Sequence, residues 1–202
     1  MSTFAVGLGL IALAGVAACK PGSSAGSVSP DDPTCFARLW PPNDLNFSLT
    51  SQTGQKVTQD AFKGHATLVF FGFTHCPNFC PTTMAKLGAV SRRLPEGTPQ
   101  PKILFVSVDP ERDTPELLAQ YVTSNGFPPD VTAVTGTEEE IRRFAEAFHA
   151  TFSRSEDPDS ASGYLVDHTT LVYMMDRDWK LRTYFWPQIP PDDMARCIGA
   201  VS

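Results

Sequence analysis

The sequence predicts an α/β fold, a single domain built on a largely parallel sheet with helices on both faces. Three observations carry that reading. Residues 68–73, which include Leu68, Val69, Phe70 and Phe71, and residues 103–108, which include Ile103, Leu104, Phe105 and Val106, are apolar at successive positions, as strands covered on both faces must be. Segments with helix-start signals alternate with those runs. Residues 171–175 and 181–185, separated by Asp176, Arg177, Asp178, Trp179 and Lys180, read as an antiparallel hairpin. The chain has 202 residues. Without its N-terminal segment, about 165 to 170 remain, the size of one domain with a full core.

Residues 4–18 are apolar and rich in Ala, Gly and Leu, and Val16, Ala17 and Ala18 precede Cys19. The stretch is shorter than the roughly 18 to 20 residues that span a bilayer. Residues 1–18 therefore resemble a bacterial lipoprotein signal peptide, cleaved to leave Cys19 as a lipidated N-terminus, although Met1, Ser2 and Thr3 supply no Lys or Arg. Residues 19–34, rich in Gly, Ser and Pro, read as a flexible tether with a span on the order of 20 Å. The domain occupies residues 35–202.

Within the domain, residues 47–50 and 51–58 suggest two short strands joined through Gly54, a hairpin extension at the sheet's edge. A helix is expected over residues 82–94, and another from Pro115 to about residue 123 with Thr114 as N-cap. Residues 131–136 read as a strand, Thr137 begins a helix running to about His149, and residues 190–200 form the closing helix. Parallel strands, a terminal antiparallel hairpin and cysteines just after an early strand together specify a thioredoxin-like sandwich with an N-terminal β-hairpin extension.

Those cysteines are Cys76 and Cys80, with Pro77 and Pro81 after them, at the turn between the first central strand and its helix. Amides at a helix start favour thiolate, the form that ligates metals and attacks disulfides. A redox couple, a metal pair and a structural bridge are all compatible with the pair alone. The spacing is one residue longer than the usual Cys-x-x-Cys of the fold. Asp167 and His168 stand directly before an expected strand over residues 169–175, a place that lies beside the cysteine loop in a thioredoxin-like layout. A net charge of −6 without any Lys/Arg cluster excludes nucleic acid as a partner.

Three motifs in order, Gly72-Phe73-Thr74 with Cys76 and Cys80, Asp109-Pro110-Glu111-Arg112-Asp113-Thr114-Pro115, and Tyr164 with Asp167-His168, resemble the Sco (SenC) family. The likeness runs from Phe47 through the final helix. It implies a membrane-tethered, thioredoxin-fold copper protein of the bacterial periplasm that helps assemble the dinuclear copper centre of cytochrome c oxidase. Cys76, Cys80 and His168 are the implied ligands. Thiolates suit Cu(I) and imidazole also suits Cu(II), so this set accepts both oxidation states, and three ligands leave a position open for exchange.

The implied partners are the copper-site subunit of the oxidase, a copper-loading chaperone and a thiol reductant, with the membrane engaged through lipid on Cys19. The alternative is a thiol-disulfide oxidoreductase that keeps the oxidase's copper-site cysteines reduced, using the same Cys76 and Cys80. Asp167 is expected to orient His168 from behind, and residues 109–113 to wall the site. His75 is expected in an exposed loop, His65 and His149 as ordinary surface or core residues, and Met84, Met174 and Met175 in the core. Cys35 and Cys197 remain outside the copper set. In an oxidising compartment they are expected to form a disulfide stapling the N-terminal segment to the last helix.

Overall fold

The computed structural model describes Met1, Cys35 and residues 44–157 and 163–201. The expected signal peptide, Cys19 and the tether lie outside the described residues. Among the described residues no helix is long and apolar enough to cross a membrane.

Strands β3 (Thr67–Gly72), β4 (Lys102–Ser107) and β5 (Val131–Thr135) lie parallel at the centre of a seven-stranded sheet. All six residues of β3 are buried, which is what its unbroken apolar run requires. On one side the hairpin β1 (Ser48–Ser51) and β2 (Lys56–Thr58) adds to β5 antiparallel, and on the other β8 (Val172–Met175) and β9 (Leu181–Phe185) add to β3. The strand order is β2-β1-β5-β4-β3-β8-β9. The expected edge hairpin and terminal hairpin are both present.

Helix α1 (Phe79–Ser91) begins three residues before the sequence suggested, so that Cys80 lies in its first turn. Pro81 is tolerated there because first-turn amides have no intrahelical acceptor. Helix α2 (Pro115–Tyr121) starts with Thr114 accepting the Leu117 amide, and α3 (Glu138–Ala147) with a capping box between Thr137 and Glu140. Helix α4 (Pro191–Gly199) packs on α1 and carries Cys197, which is bonded to Cys35 with an S–S distance of 2.05 Å.

One expectation is corrected. The strand placed over residues 169–175 begins only at Val172, and Asp167 and His168 instead end a separate strand, β7 (Tyr164–His168), which pairs antiparallel with β6 (Phe152–Glu156). These two strands form a sheet of their own. Ser153, Arg154, Ser155 and Glu156 of β6 are all exposed, so the segment lacks the apolar alternation that marks a strand in sequence.

Candidate metal centre

The parallel strands β3 and β4 end in the loops that build the site. After Gly72 the chain turns through residues 73–78 into α1, and this turn carries both thiols. Asn78, at the N-cap of α1, makes no side-chain cap, and the Cys76 sulfur serves instead, accepting the Cys80 amide at 3.3 Å. A sulfur that accepts from a helix N-terminus is stabilised as thiolate.

Cys80 is buried with no exposed surface, and its sulfur lies 3.6 Å from Nε2 of His168. Room for that sulfur depends on Gly72. A Cβ there would stand 3.0 Å from Cys80 Sγ and 3.0 Å from each of the Phe70 and Phe105 rings. The two thiols differ in acidity. Hydrogen bonding from Cys80 holds the Cys76 thiol well below its ordinary range, against an opposing effect of burial, with His168 and the Cys80 amide adding to the depression. Cys80 is pushed up, first by sharing its proton with Cys76 and then by burial.

His168 ends β7, and its Nδ1 lies 3.0 Å from the Thr169 carbonyl oxygen. A carbonyl only accepts, so Nδ1 carries the proton and the Nε2 lone pair faces Cys80. Phe70, Phe73 and Phe79 surround the imidazole at ring-centroid distances of 6.1, 5.8 and 6.3 Å, all edge-on. Asp167 does not take the orienting role expected of it. Neighbouring residues of a strand face opposite sides, and its carboxylate is exposed while a backbone carbonyl holds the imidazole.

The segment after β4 forms the wall. Asp109 and Asp113 are both fully buried. Asp113 accepts from the Thr74 hydroxyl at 2.6 Å, the Thr74 amide at 3.1 Å and the Ser107 hydroxyl at 2.6 Å, tying the cysteine turn to the end of β4. Burial raises its pKa and these hydrogen bonds oppose the rise. Asp109 accepts from Arg112 Nε and, at 2.8 Å, from the Tyr164 hydroxyl. Sequence reasoning gave this segment no chemistry. Its scaffolding role depends on burial, which two carboxylates in a polar stretch do not advertise.

The other candidates fall outside the centre. His75 is 44% exposed at its side chain, with Nδ1 3.1 Å from Thr74 Oγ1 and 3.8 Å from Asp113. His65 and His149 are exposed, and Met84, Met174 and Met175 are core residues. Tyr121 was not singled out by its sequence context. Its hydroxyl is buried and makes no hydrogen bond among the described residues, and burial together with the nearby thiols raises its pKa.

Cys76, Cys80 and His168 thus converge, two sulfurs and one nitrogen. Two donors on one ion, with bonds of about 2.3 Å to sulfur and 2.0 Å to nitrogen as for zinc, stand about 3.5 to 3.8 Å apart at trigonal to tetrahedral angles. The separation of 3.6 Å between Cys80 Sγ and His168 Nε2 fits that range. Among the described residues no group of three or more His, Cys, Asp or Glu side chains is arranged, as it stands, to hold a metal ion. The donors are engaged with one another, and a soft metal held by them would take the place of the thiol proton they share.

Comparison with known proteins points to one family. The mitochondrial SCO1 homologue of Homo sapiens is 40% identical over 158 residues, covering 76% of this chain and 50% of that protein. The SCO2-like protein RP587 of Rickettsia prowazekii is 32% identical over 143 residues, covering 71% of this chain and 69% of that protein. The chain spans about half the length of the human relative. Among solved structures, ScoI of Bradyrhizobium japonicum with copper bound superposes with a TM-score of 0.69 at 32% identity, over 81% of this chain and all of that one. ScoI of Arabidopsis thaliana with copper bound gives 0.69 at 33% identity, over 74% and 91%. The SCO1/SenC family model matches residues 41–201, a span that takes in both sulfurs, the buried carboxylates and the histidine, and the chain belongs to that family.

Proposed function

We propose that this protein binds one copper ion through Cys76, Cys80 and His168 and delivers it to the dinuclear copper centre of cytochrome c oxidase. The observation that carries the reading is the aim of His168, whose Nε2 lone pair points at the Cys80 sulfur because Nδ1 donates to Thr169. Disulfide chemistry has no use for that third donor. Two copper-bound relatives at 32% and 33% identity support the choice of metal. Lipid on Cys19 would hold the domain at the membrane on the periplasmic side, with the oxidase's copper-site subunit as recipient. Three donors leave a coordination position through which a recipient ligand enters before the donor ligands leave.

A second reading is favoured by the asymmetry of the thiols. Cys76 is part-exposed and acidic, while Cys80 is buried and holds its proton, the arrangement of an attacking and a resolving cysteine. In that reaction the Cys76 thiolate attacks a target disulfide and the target's leaving sulfur takes up a proton. Cys80, deprotonated, then displaces the target's second thiol and leaves a Cys76–Cys80 disulfide. Titration of the reduced protein with Cu(I) and Cu(II) separates the two. One equivalent, with sulfur-to-Cu(II) charge-transfer absorption lost in Cys76→Ser, Cys80→Ser and His168→Ala, is expected. Copper affinity unchanged by His168→Ala, together with disulfide reduction lost in Cys76→Ser and Cys80→Ser, would replace the first reading with the second.

A further inference from the structure

The strand that presents His168 belongs to no part of the main sheet. Among the described residues β7 pairs only with β6, and the hairpin stands beside a cavity of about 40 Å³ lined by Val108, Pro110, Arg142, Phe152 and Val166 among others. Backbone pairing therefore does not fix the position of the imidazole relative to the sulfurs, which sit on the β3–α1 turn. Something else must register the hairpin against the body of the domain.

The inward face of β7 is Tyr164, Val166 and His168, since alternate residues share a face. Tyr164, at the far end from His168, is gripped on both sides. The Arg112 guanidinium lies 3.8 Å from its ring centroid and that of Arg154 4.2 Å. Its hydroxyl donates to buried Asp109 at 2.8 Å, and Asp109 also accepts from Arg112. Arg154 is paired with Glu111 at 2.9 Å, so both guanidiniums are anchored to the 109–113 wall.

Arg112 has a buried Nη2 without a hydrogen-bond partner among the described residues, which leaves that edge of the cation to aromatic faces. One is Tyr164. The other is Phe73, at 5.8 Å, whose ring meets the His168 imidazole edge-on at 5.8 Å. The clamp thus reaches His168 by two routes, along the β7 backbone and through Phe73.

We propose that Tyr164, stacked between Arg112 and Arg154, is a positioning residue that holds the β6–β7 hairpin so that His168 faces the two sulfurs. The inference rests on the copper reading for its consequence, though not for its geometry. Arg112 Nη1 also donates to the Tyr164 backbone carbonyl at 3.4 Å, a contact that any side chain at this position keeps, so the part the side chain supplies is chiefly the stacking of two cations on the ring, with the hydroxyl bond to Asp109 at its tip.

The test has a metal-free arm and a copper arm. In the reduced, metal-free protein at pH 8, the ring-nitrogen NMR shifts of His168 should report a fixed Nδ1–H tautomer. Tyr164→Ala should move them to the averaged shifts of a free imidazole, Tyr164→Phe should keep the parent shifts, and the exposed-site change Arg154→Met should give a partial move. In the copper arm, Cu(II) loss to a chelator should be about tenfold faster in Tyr164→Ala and within about twofold of the parent in Tyr164→Phe. In a His168→Ala background, Tyr164→Ala should add nothing further. Unchanged His168 shifts in both Tyr164→Ala and Arg154→Met overturn the proposal, as does a tenfold effect that persists without His168. A parent protein that binds no copper defeats the copper reading, and the metal-free arm still decides the clamp.

Discussion

Cys76 and Cys80 are four residues apart yet occupy opposite chemical positions. Cys76 caps a helix with its sulfur part-exposed, and Cys80 is sealed between Gly72, the phenylalanines and His168. A depressed thiol pKa keeps the thiolate fraction high as pH falls, so the rate of attack on an alkylating agent stays level until the pH passes through the lowered value. For Cys76 in reduced, metal-free protein, iodoacetamide modification followed by peptide mass spectrometry should therefore show a midpoint well below that of a free thiol, about 8.5. Cys80, whose pKa is raised, should stay unmodified at neutral pH. A Cys76 midpoint near the free-thiol value, or Cys80 reacting first, would contradict the arrangement. The sulfurs and His168 were legible in the sequence because their side chains are the chemistry. The Thr169 carbonyl that aims the histidine was not, since a backbone acceptor has no residue signature, and the acidic neighbour Asp167 drew the assignment in its place.

At the scale of elements, α1 links the site to the core, and Gly88 sets how closely it can approach the turn at residues 126–127. A Cβ on Gly88 would stand 2.0 Å from the Gly126 carbonyl oxygen and 3.0 Å from the Phe127 carbonyl carbon. Those are backbone atoms of another segment, so no side chain can swing aside. Gly88→Ala should cost at least about 1 to 3 kcal/mol, the usual range for overpacking, despite the better helix propensity of Ala. Urea unfolding would measure it, and a variant as stable as the parent would show that α1 can move away freely. Thr137→Ala, which removes the α3 capping box, should cost about 1 kcal/mol by the same measurement. Caps of this kind were readable from Thr114 and Thr137, whose partners lie three residues on. The β6–β7 hairpin was not readable, because β6 lacks apolar alternation and the contacts that tie the hairpin to the domain, Arg112 on Tyr164 and Arg142 on Phe152, join it to other segments of the chain. The start of α1 was misplaced for a related reason, in that its cap is a sulfur rather than a hydroxyl or carboxylate.

For the whole molecule, the buried runs of β3 and β4 made the central sheet plain in the sequence, and the N-terminal hairpin lies at the sheet's edge as its short polar strands suggested. The Cys35–Cys197 bond acts at this largest scale. It joins residues 162 apart in sequence, and closing so long a loop in the unfolded chain corresponds to at most about 5 kcal/mol in the chain-entropy model, with about 2 to 4 typical. Its place in the fold separates stability from copper binding. Cys197 lies near the end of α4, where Gly199 approaches Pro95 beyond the C-terminal end of α1. Cys80 is in the first turn of that 13-residue helix, about 20 Å away along the axis. The double change Cys35→Ser with Cys197→Ser should therefore lower the urea midpoint by an amount corresponding to about 2 to 5 kcal/mol while leaving one equivalent of copper bound with unchanged charge-transfer absorption. Loss of copper binding at full folding would mean that the bond acts on the site itself, through the α1–α4 packing. An unchanged midpoint would mean that the packing of α4 against α1 already holds the C-terminal helix without the covalent link.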